Sequence, residues 1–191
     1  MCVCVRCADG IELCSLLNRA LRDDNPDESS MRPAVRLTRA LNAFCVTDNA
    51  DTHDWPESNR TFRGTVLPRE HQYFYRVGKS YRVPMFIATS FDRSIATDFM
   101  GRAAQAADDE THEPMLWTFV LDPGDRCRHV NYIETREKEF LFAPYSAFKV
   151  VSAVWQEEPT AAHPHQISLA VASDNLDRAA WPLELPLAPW A

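Results

Sequence analysis

Apolar residues near the start of the chain recur every three or four positions, which is the spacing of an amphipathic helix. Residues 11–23, "IELCSLLNRALRD", follow this pattern, and a polar run at 24–30 ends it. Residues 33–45, "PAVRLTRALNAFC", follow it again, with Pro33 in the first turn, where a missing N–H is tolerated. We therefore predict two N-terminal helices joined by a polar loop.

In the second third of the chain the pattern changes to the alternation of apolar and polar residues that is typical of β-strands. The segment "RTFRGTV" alternates cleanly, with Arg63 on its polar face. A second strand, "PMFIATSF", runs into a helix over 92–107, for which Asp92 is a suitable N-cap. The inner face of this helix is expected to carry Phe99 and Met100.

The remaining predicted strands are "MLWTFVLDPGD", "EKEFLF" and "YSAFKVVSAVW". The last two are apolar on both faces, so they predict a buried strand pair on either side of Pro144. Scattered prolines and a lack of periodicity predict an extended or disordered tail at 158–191. Helices followed by mostly antiparallel strands indicate an α+β fold, with a Cys-rich extension at 1–10 and one domain at 11–157.

The composition is that of an ordinary globular protein, since 46% of the 191 residues are hydrophobic and 25% are charged. The net charge of −7 argues against a nucleic-acid partner, because phosphate backbones attract basic surfaces. No window approaches the ~20 apolar residues of a membrane span, and no basic segment followed by an apolar one opens the chain. We therefore expect a cytoplasmic monomer with no membrane span.

Three of the six cysteines, Cys2, Cys4 and Cys7, lie within the first seven residues. The cluster lacks the second Cys or His pair of a zinc site, and reduced thiols, acylation and metal binding are the alternatives for it. The six histidines show no metal spacing, so we expect no metal in the functional site. Five glycines in the whole chain argue against a Gly-rich phosphate loop.

Two carboxylates, Glu137 and Glu139, lie one residue apart at the start of the strand "EKEFLF". On a strand both side chains point to the same face, where they repel each other unless a cation relieves the repulsion. Arg63 can bind a phosphate with two hydrogen bonds, and the following Gly64 lets a ligand approach the backbone. One carboxylate can stabilise the positive sugar of glycosidic cleavage while the other activates a nucleophile. Taken singly, each feature is typical of a solvated strand surface.

The order of these motifs resembles the R-S-E class of mono-ADP-ribosyltransferases. The chain contains "TFRG", then "FIATSF", which includes Thr89 and Ser90, then "EKEFLFAPYSAFKV". The segment 127–150 is especially similar to the eukaryotic arginine-specific members, and the resemblance extends over about residues 11–156. It implies two mostly antiparallel sheets around an NAD cleft, with N-terminal helices, and NAD as the co-substrate.

The resemblance also implies a role for each site residue. Arg63 would hold the NAD phosphates and support the fold of the site, and the backbone of Gly64 would meet the nicotinamide amide. Thr89 and Ser90 would line the pocket of the nicotinamide ribose, with Ser90 also in the catalytic set. Glu139 would be the catalytic glutamate that grips the ribose and stabilises the oxocarbenium ion.

By the same resemblance, Glu137 would position and activate the acceptor, and a glutamate there is typical of members that modify arginine. The loop at 132–136 would help to select the acceptor protein, which would present an exposed arginine. One position departs from the family pattern Ser-Thr-Ser, because Ala88 replaces the first serine, which commonly hydrogen-bonds the catalytic glutamate. From spacing alone, Ser90 lies ~6.5 Å further along the strand and does not replace it.

Three functions are therefore hypotheses at this point. The first is transfer of ADP-ribose from NAD to a protein arginine with release of nicotinamide. The second is hydrolysis of NAD on the same scaffold, with water as the acceptor. The third is a non-catalytic binding module, which the alanine at position 88 motivates. Glu137 favours arginine transfer over hydrolysis.

Overall fold

The computed structural model describes residues 13–23, 31–46, 55–107, 111–124, 127, 129–130, 138–172 and 185–189. The helices are α1 (Leu13–Asp23), α2 (Met31–Val46), a short 3-10 helix (Arg69–Phe74) and α3 (Arg93–Ala106). The strands are β1 (Arg60–Pro68), β2 (Ser80–Val83), β3 (Ile87–Ser90), β4 (His112–Val120), β5 (His129–Val130), β6 (Glu139–Phe142), β7 (Ser146–Val154) and β8 (His165–Val171). The predicted helices and Asp92 as the N-cap of α3 are confirmed.

The strands form one mixed sheet in the order β2-β7-β8-β4-β1-β3-β6-β5. Only β4 and β8 run parallel among the paired strands that the structure describes. The α+β class is therefore confirmed, but the expected division into two sheets is wrong, because hydrogen bonding is continuous across all eight of these strands. The sheet curls instead. Phe142 on β6 and Phe148 on β7 are separated by four strands in the sheet, yet their ring centroids are 5.5 Å apart.

Aromatic rings fill the inside of this curl. Phe119 on β4 contacts the rings of both Phe142 and Phe148, and all three side chains are fully buried. Burial of such rings is the main source of stability for a curled sheet, because each removes a large apolar area from water. The strands β6 and β7 follow each other through a tight turn but are not partners, so the predicted strand pair is wrong. β6 pairs with β3 and β5, whereas β7 pairs with β2 and β8.

Strand β8 lies in the middle of the sheet, between β4 and β7. Its side chains alternate in burial, and Ile167 and Leu169 are each 1% exposed. The predicted extended or disordered tail at 158–191 is therefore wrong for this segment, which is part of the core. A second piece of the predicted tail forms a parallel bridge between Leu187 and Arg82 on the outer edge of β2.

A polar network attaches β8 to its neighbours. The backbone N–H of Gln156 donates to His165 Nδ1 at 2.9 Å, so the ring carries its proton on Nε2 and donates it to Glu113 on β4, at 2.9 Å. Arg69 binds the other oxygen of Glu113 at 2.7 Å. Burial raises the pKa of Glu113, but the hydrogen bonds from His165 and Arg69 outweigh burial and hold this pKa below its ordinary value.

Candidate active site

A cleft of about 480 Å³ lies between α3 and the strands β1, β3 and β6. Its lining includes Arg63, Gly64, Thr89, Ser90 and Glu139, so the structure brings together all of the predicted site residues that it describes. We refer to this space as the α3 cleft. Its remaining lining residues are Phe62, Thr65, Ala88, Ile95, Ala96, Phe99, Arg102 and Ala103.

Gly64 sets how closely α3 packs against β1. A Cβ atom at this position would lie 1.8 Å from the carbonyl oxygen of Ala96 and 2.7 Å from Cβ of Met100. No side chain fits there, so the glycine is required by helix packing whether or not a ligand meets its backbone. The sequence predicted a ligand-related reason for this glycine, and the structure adds a steric one.

Ser90 and Glu139 lie directly opposite each other on the paired strands β3 and β6. Directly paired residues have Cβ atoms roughly 4.5–5.5 Å apart and point to the same face of the sheet. Ala88 instead lies opposite Leu141. The register therefore places Ser90, and not residue 88, opposite the predicted catalytic carboxylate, and whether its hydroxyl takes the role of the missing serine stays a prediction. Glu139 itself is 7% exposed.

Arg63 joins two strands beside this pair. Its Nη1 donates to the backbone oxygen of Ala88 at 2.8 Å, close to the point where β1 and β3 meet at Phe62 and Ser90. This contact supports the prediction that Arg63 helps to hold the fold of the site. A charged hydrogen bond in a half-buried position holds the edge of β3 against β1 and fixes the guanidinium at the cleft wall. Phosphate binding by Arg63 stays a prediction.

Thr89 is fastened to β6. Its Oγ1 donates to the backbone oxygen of Phe140 at 2.8 Å, and the residue is 5% exposed. The hydroxyl supplements the backbone ladder between β3 and β6 at the residue next to Glu139. Thr89 therefore has a clear structural use, and any contact that it makes to a ligand is additional.

Two residues of the cleft wall were not predicted as site residues. Phe99 is 38% exposed, and the guanidinium carbon of Arg102 lies 4.2 Å from the centre of its ring. Met100 is buried as expected, but Phe99 faces the α3 cleft and not the core. The sequence contained a usable signal, because an Arg three residues after a Phe on a helix lies on the same face.

The cleft therefore carries a distinctive set of charges. Arg63 and Arg102 contribute two cations, and Glu139 contributes one carboxylate on the wall formed by β6. A polar ligand with anionic groups and an electron-poor centre would match this distribution.

Several predicted residues lie outside the described part of the chain. They include Glu137, the loop at 132–136 and the cysteines at 2, 4 and 7. Across the ranges that the structure does describe, no group of three or more His, Cys, Asp or Glu side chains could hold a metal ion. Within those same ranges, every helix is too short or too polar to cross a membrane.

Comparison with known proteins identifies the fold. No family model matches the chain, and no curated protein matches its sequence. Solved structures do match it. The Vis toxin, an ADP-ribosyltransferase from Vibrio splendidus, is 18% identical over 91% of this chain and 71% of its own, with a TM-score of 0.61. Exoenzyme S from Pseudomonas aeruginosa is 16% identical over 88% and 72%, with a TM-score of 0.55. The C3 exoenzyme of Clostridium limosum is 14% identical over 81% and 77%, with a TM-score of 0.54. The expected ADP-ribosyltransferase-like fold is thereby confirmed.

Proposed function

We propose that this protein is a mono-ADP-ribosyltransferase of the R-S-E class that transfers ADP-ribose from NAD to a protein arginine and releases nicotinamide. The observation that carries the proposal is the pairing of Ser90 with Glu139 on the wall of a cleft that also holds Arg63, in a chain with this fold. The residues come from three separate segments of the sequence. These segments follow each other along the chain in the order of the family motifs, and all three line one cleft.

The cations of the cleft suit the phosphates of NAD. The pyrophosphate carries two negative charges, and a guanidinium is the side chain best suited to bind phosphate oxygens. Arg63 is held at the inner wall by Ala88, and Arg102 rests on Phe99 at the helix wall. Ligand binding at these two arginines would place the ribose and nicotinamide toward the carboxylate of Glu139.

Glu139 would act on the sugar. When the bond between the ribose C1 and the nicotinamide nitrogen breaks, its electron pair leaves with neutral nicotinamide and C1 becomes positive. A fixed carboxylate in a poorly hydrated wall stabilises this developing charge far better than water does, because its orientation is already set. Glu139 is almost fully buried and is held in the β6 ladder, so it meets this requirement.

The acceptor would be an arginine guanidinium. One guanidinium nitrogen would attack C1, and its proton would pass to Glu137. Glu137 lies two residues before Glu139 in the sequence. Vis has been crystallised in complex with agmatine, a small guanidine compound, which supports this acceptor class. The position of Ser90 opposite Glu139 supports a catalytic site over a non-catalytic module, because a serine is available beside the carboxylate despite Ala88.

The test uses NAD labelled in either its adenylate or its nicotinamide part, with agmatine or an arginine-rich protein as the acceptor. We expect nicotinamide release together with label on the acceptor. Glu137→Gln should lose transfer to arginine while slow hydrolysis of NAD persists, because water needs far less orientation than a protonated guanidinium. Nicotinamide release without any labelled acceptor would identify a glycohydrolase. The absence of both nicotinamide release and labelled acceptor would overturn the proposal.

A further inference from the structure

Lys138 has an unusual backbone conformation next to the proposed catalytic residue. Its φ angle is 46°, in the left-handed region that few residues other than glycine adopt. The residue directly precedes Glu139, which is the first residue of β6. A lysine persists in such a conformation only where its surroundings determine the local geometry.

Both ends of Lys138 are attached to the turn between β3 and α3. Its backbone oxygen accepts a hydrogen bond from the N–H of Phe91 at 3.0 Å. Its Nζ lies 3.3 Å from Oδ2 of Asp92. The left-handed backbone thus allows the carbonyl and the ammonium of one residue to reach two successive residues of the same turn.

Asp92 connects this attachment to α3 and to Ser90. Its Oδ1 accepts from the backbone N–H of Ser94 at 2.9 Å and from the Ser94 hydroxyl at 2.7 Å, which caps the helix. Its own N–H donates to Ser90 Oγ at 3.0 Å. Hydrogen bonds from Ser94, and then the Lys138 ammonium, hold the pKa of Asp92 below its ordinary value. The residues Lys138, Asp92, Ser90 and Glu139 therefore form a closed loop of contacts, because Ser90 lies opposite Glu139.

The charge of Lys138 makes the direction of its side chain important. The chain places this ammonium on the residue adjacent to Glu139. A cation a few ångströms from the catalytic carboxylate would offset the negative charge that has to stabilise a positive sugar. Pairing with Asp92 gives the ammonium a partner outside the sugar site.

We propose that the Lys138–Asp92 ion pair is a positioning device, which keeps Glu139 opposite Ser90 and directs the neighbouring ammonium away from the catalytic carboxylate. The inference rests on the proposed function of the α3 cleft. Both residues act through Glu139, so they are positioning residues that need not touch the substrate. Their loss should lower turnover and leave the affinity for NAD nearly unchanged.

Two variants separate the ion pair from the helix cap. Lys138→Met keeps an unbranched side chain, one atom shorter, and removes its charge. Asp92→Asn keeps a side-chain oxygen that caps α3 nearly as well and removes the charge on the carboxylate. We expect kcat for NAD hydrolysis to fall by about three- to tenfold in each variant, with KM for NAD changed by less than about twofold. Lys138→Arg should restore most of kcat.

The double variant and the melting temperature complete the test. Because both residues belong to one device, Asp92→Asn combined with Lys138→Met should lose no more activity than either single change. The inference would be overturned if both single variants kept the wild-type kcat, or if their losses multiplied in the double variant. It would also be overturned if the loss of kcat followed the loss of melting temperature. Wild-type protein that turns over no NAD would overturn the proposed function, and this inference with it.

Discussion

The contact between Gly64 and α3 allows a prediction with its own internal control. In Gly64→Ala the new Cβ would meet the backbone oxygen of Ala96 at 1.8 Å. Ordinary carbon–oxygen contacts are no closer than ~3.3 Å, so α3 would have to move by about 1.5 Å. The obstacle is backbone and not the end of a flexible side chain, so the change belongs at the upper end of the ~1–3 kcal/mol typical of overpacking. We expect the melting temperature to fall by about 6–12 °C, taking ~2–4 °C per kcal/mol for a chain of this size.

Gly101 in the same helix is the matched control. A Cβ at Gly101 would meet nothing within 4 Å, so Gly101→Ala has no steric cost. Alanine is the better helix former by about 0.5–1 kcal/mol, which should raise the melting temperature by about 1–4 °C. Circular dichroism on the two variants and the wild-type protein gives the comparison. Equal melting temperatures for Gly64→Ala and wild type would refute the close packing of α3 on β1.

The remaining predictions concern the cleft wall, β8 and pH. Arg102→Ala should weaken NAD binding by about three- to tenfold, measured by calorimetry. Arg93→Ala, on the same helix but outside the α3 cleft, should leave NAD binding unchanged. Equal NAD affinities for Arg102→Ala and the wild-type protein would exclude Arg102 from the site. Removal of residues 158–191 should abolish cooperative unfolding, because it deletes β8 from between two strands, and a truncated chain that melts like the full one would contradict this. The pKa of Glu113 is held below its ordinary value in the folded state, so its contribution to stability is complete above the ordinary carboxyl pKa and is lost as the pH falls through the lowered value. Denaturant titrations between pH 7 and pH 3 should show this loss in the wild-type protein and a weaker one in Glu113→Gln.

Local patterns in the sequence were sufficient for the helices and for the strands that carry the motifs. The cap at Asp92 was predictable because a side-chain oxygen that binds the N–H groups of a helix start acts over two or three residues only. Strand β1 was predictable because polar and apolar residues alternate through most of "RTFRGTV". In both cases the decisive interactions are close in sequence.

Strand β8 was missed although its alternation was visible in "HQISLAV". The sequence on either side of β8 contains several prolines. Its partner β4 lies about fifty residues earlier in the chain, so no local pattern shows the pairing. The register between β3 and β6 was missed for the same reason, because it is set by pairing between distant segments. Whether Ala88 or Ser90 lies opposite Glu139 depends on how β3 and β6 align, and a shift of two residues would place Ala88 opposite Glu139 instead. The sequence therefore predicted residues that line the α3 cleft and not which of them lie opposite each other.

The account depends most directly on the charge of Glu139. Glu139→Gln keeps the size of the side chain and removes the charge that is proposed to stabilise the positive ribose. The measurement is nicotinamide release from NAD by wild type and by Glu139→Gln, with the NAD affinity of each determined by calorimetry on the same preparations. We expect release to fall by ~10²–10³ or more while NAD still binds with nearly wild-type affinity. A Glu139→Gln protein that binds NAD and releases nicotinamide at the wild-type rate would contradict the central claim.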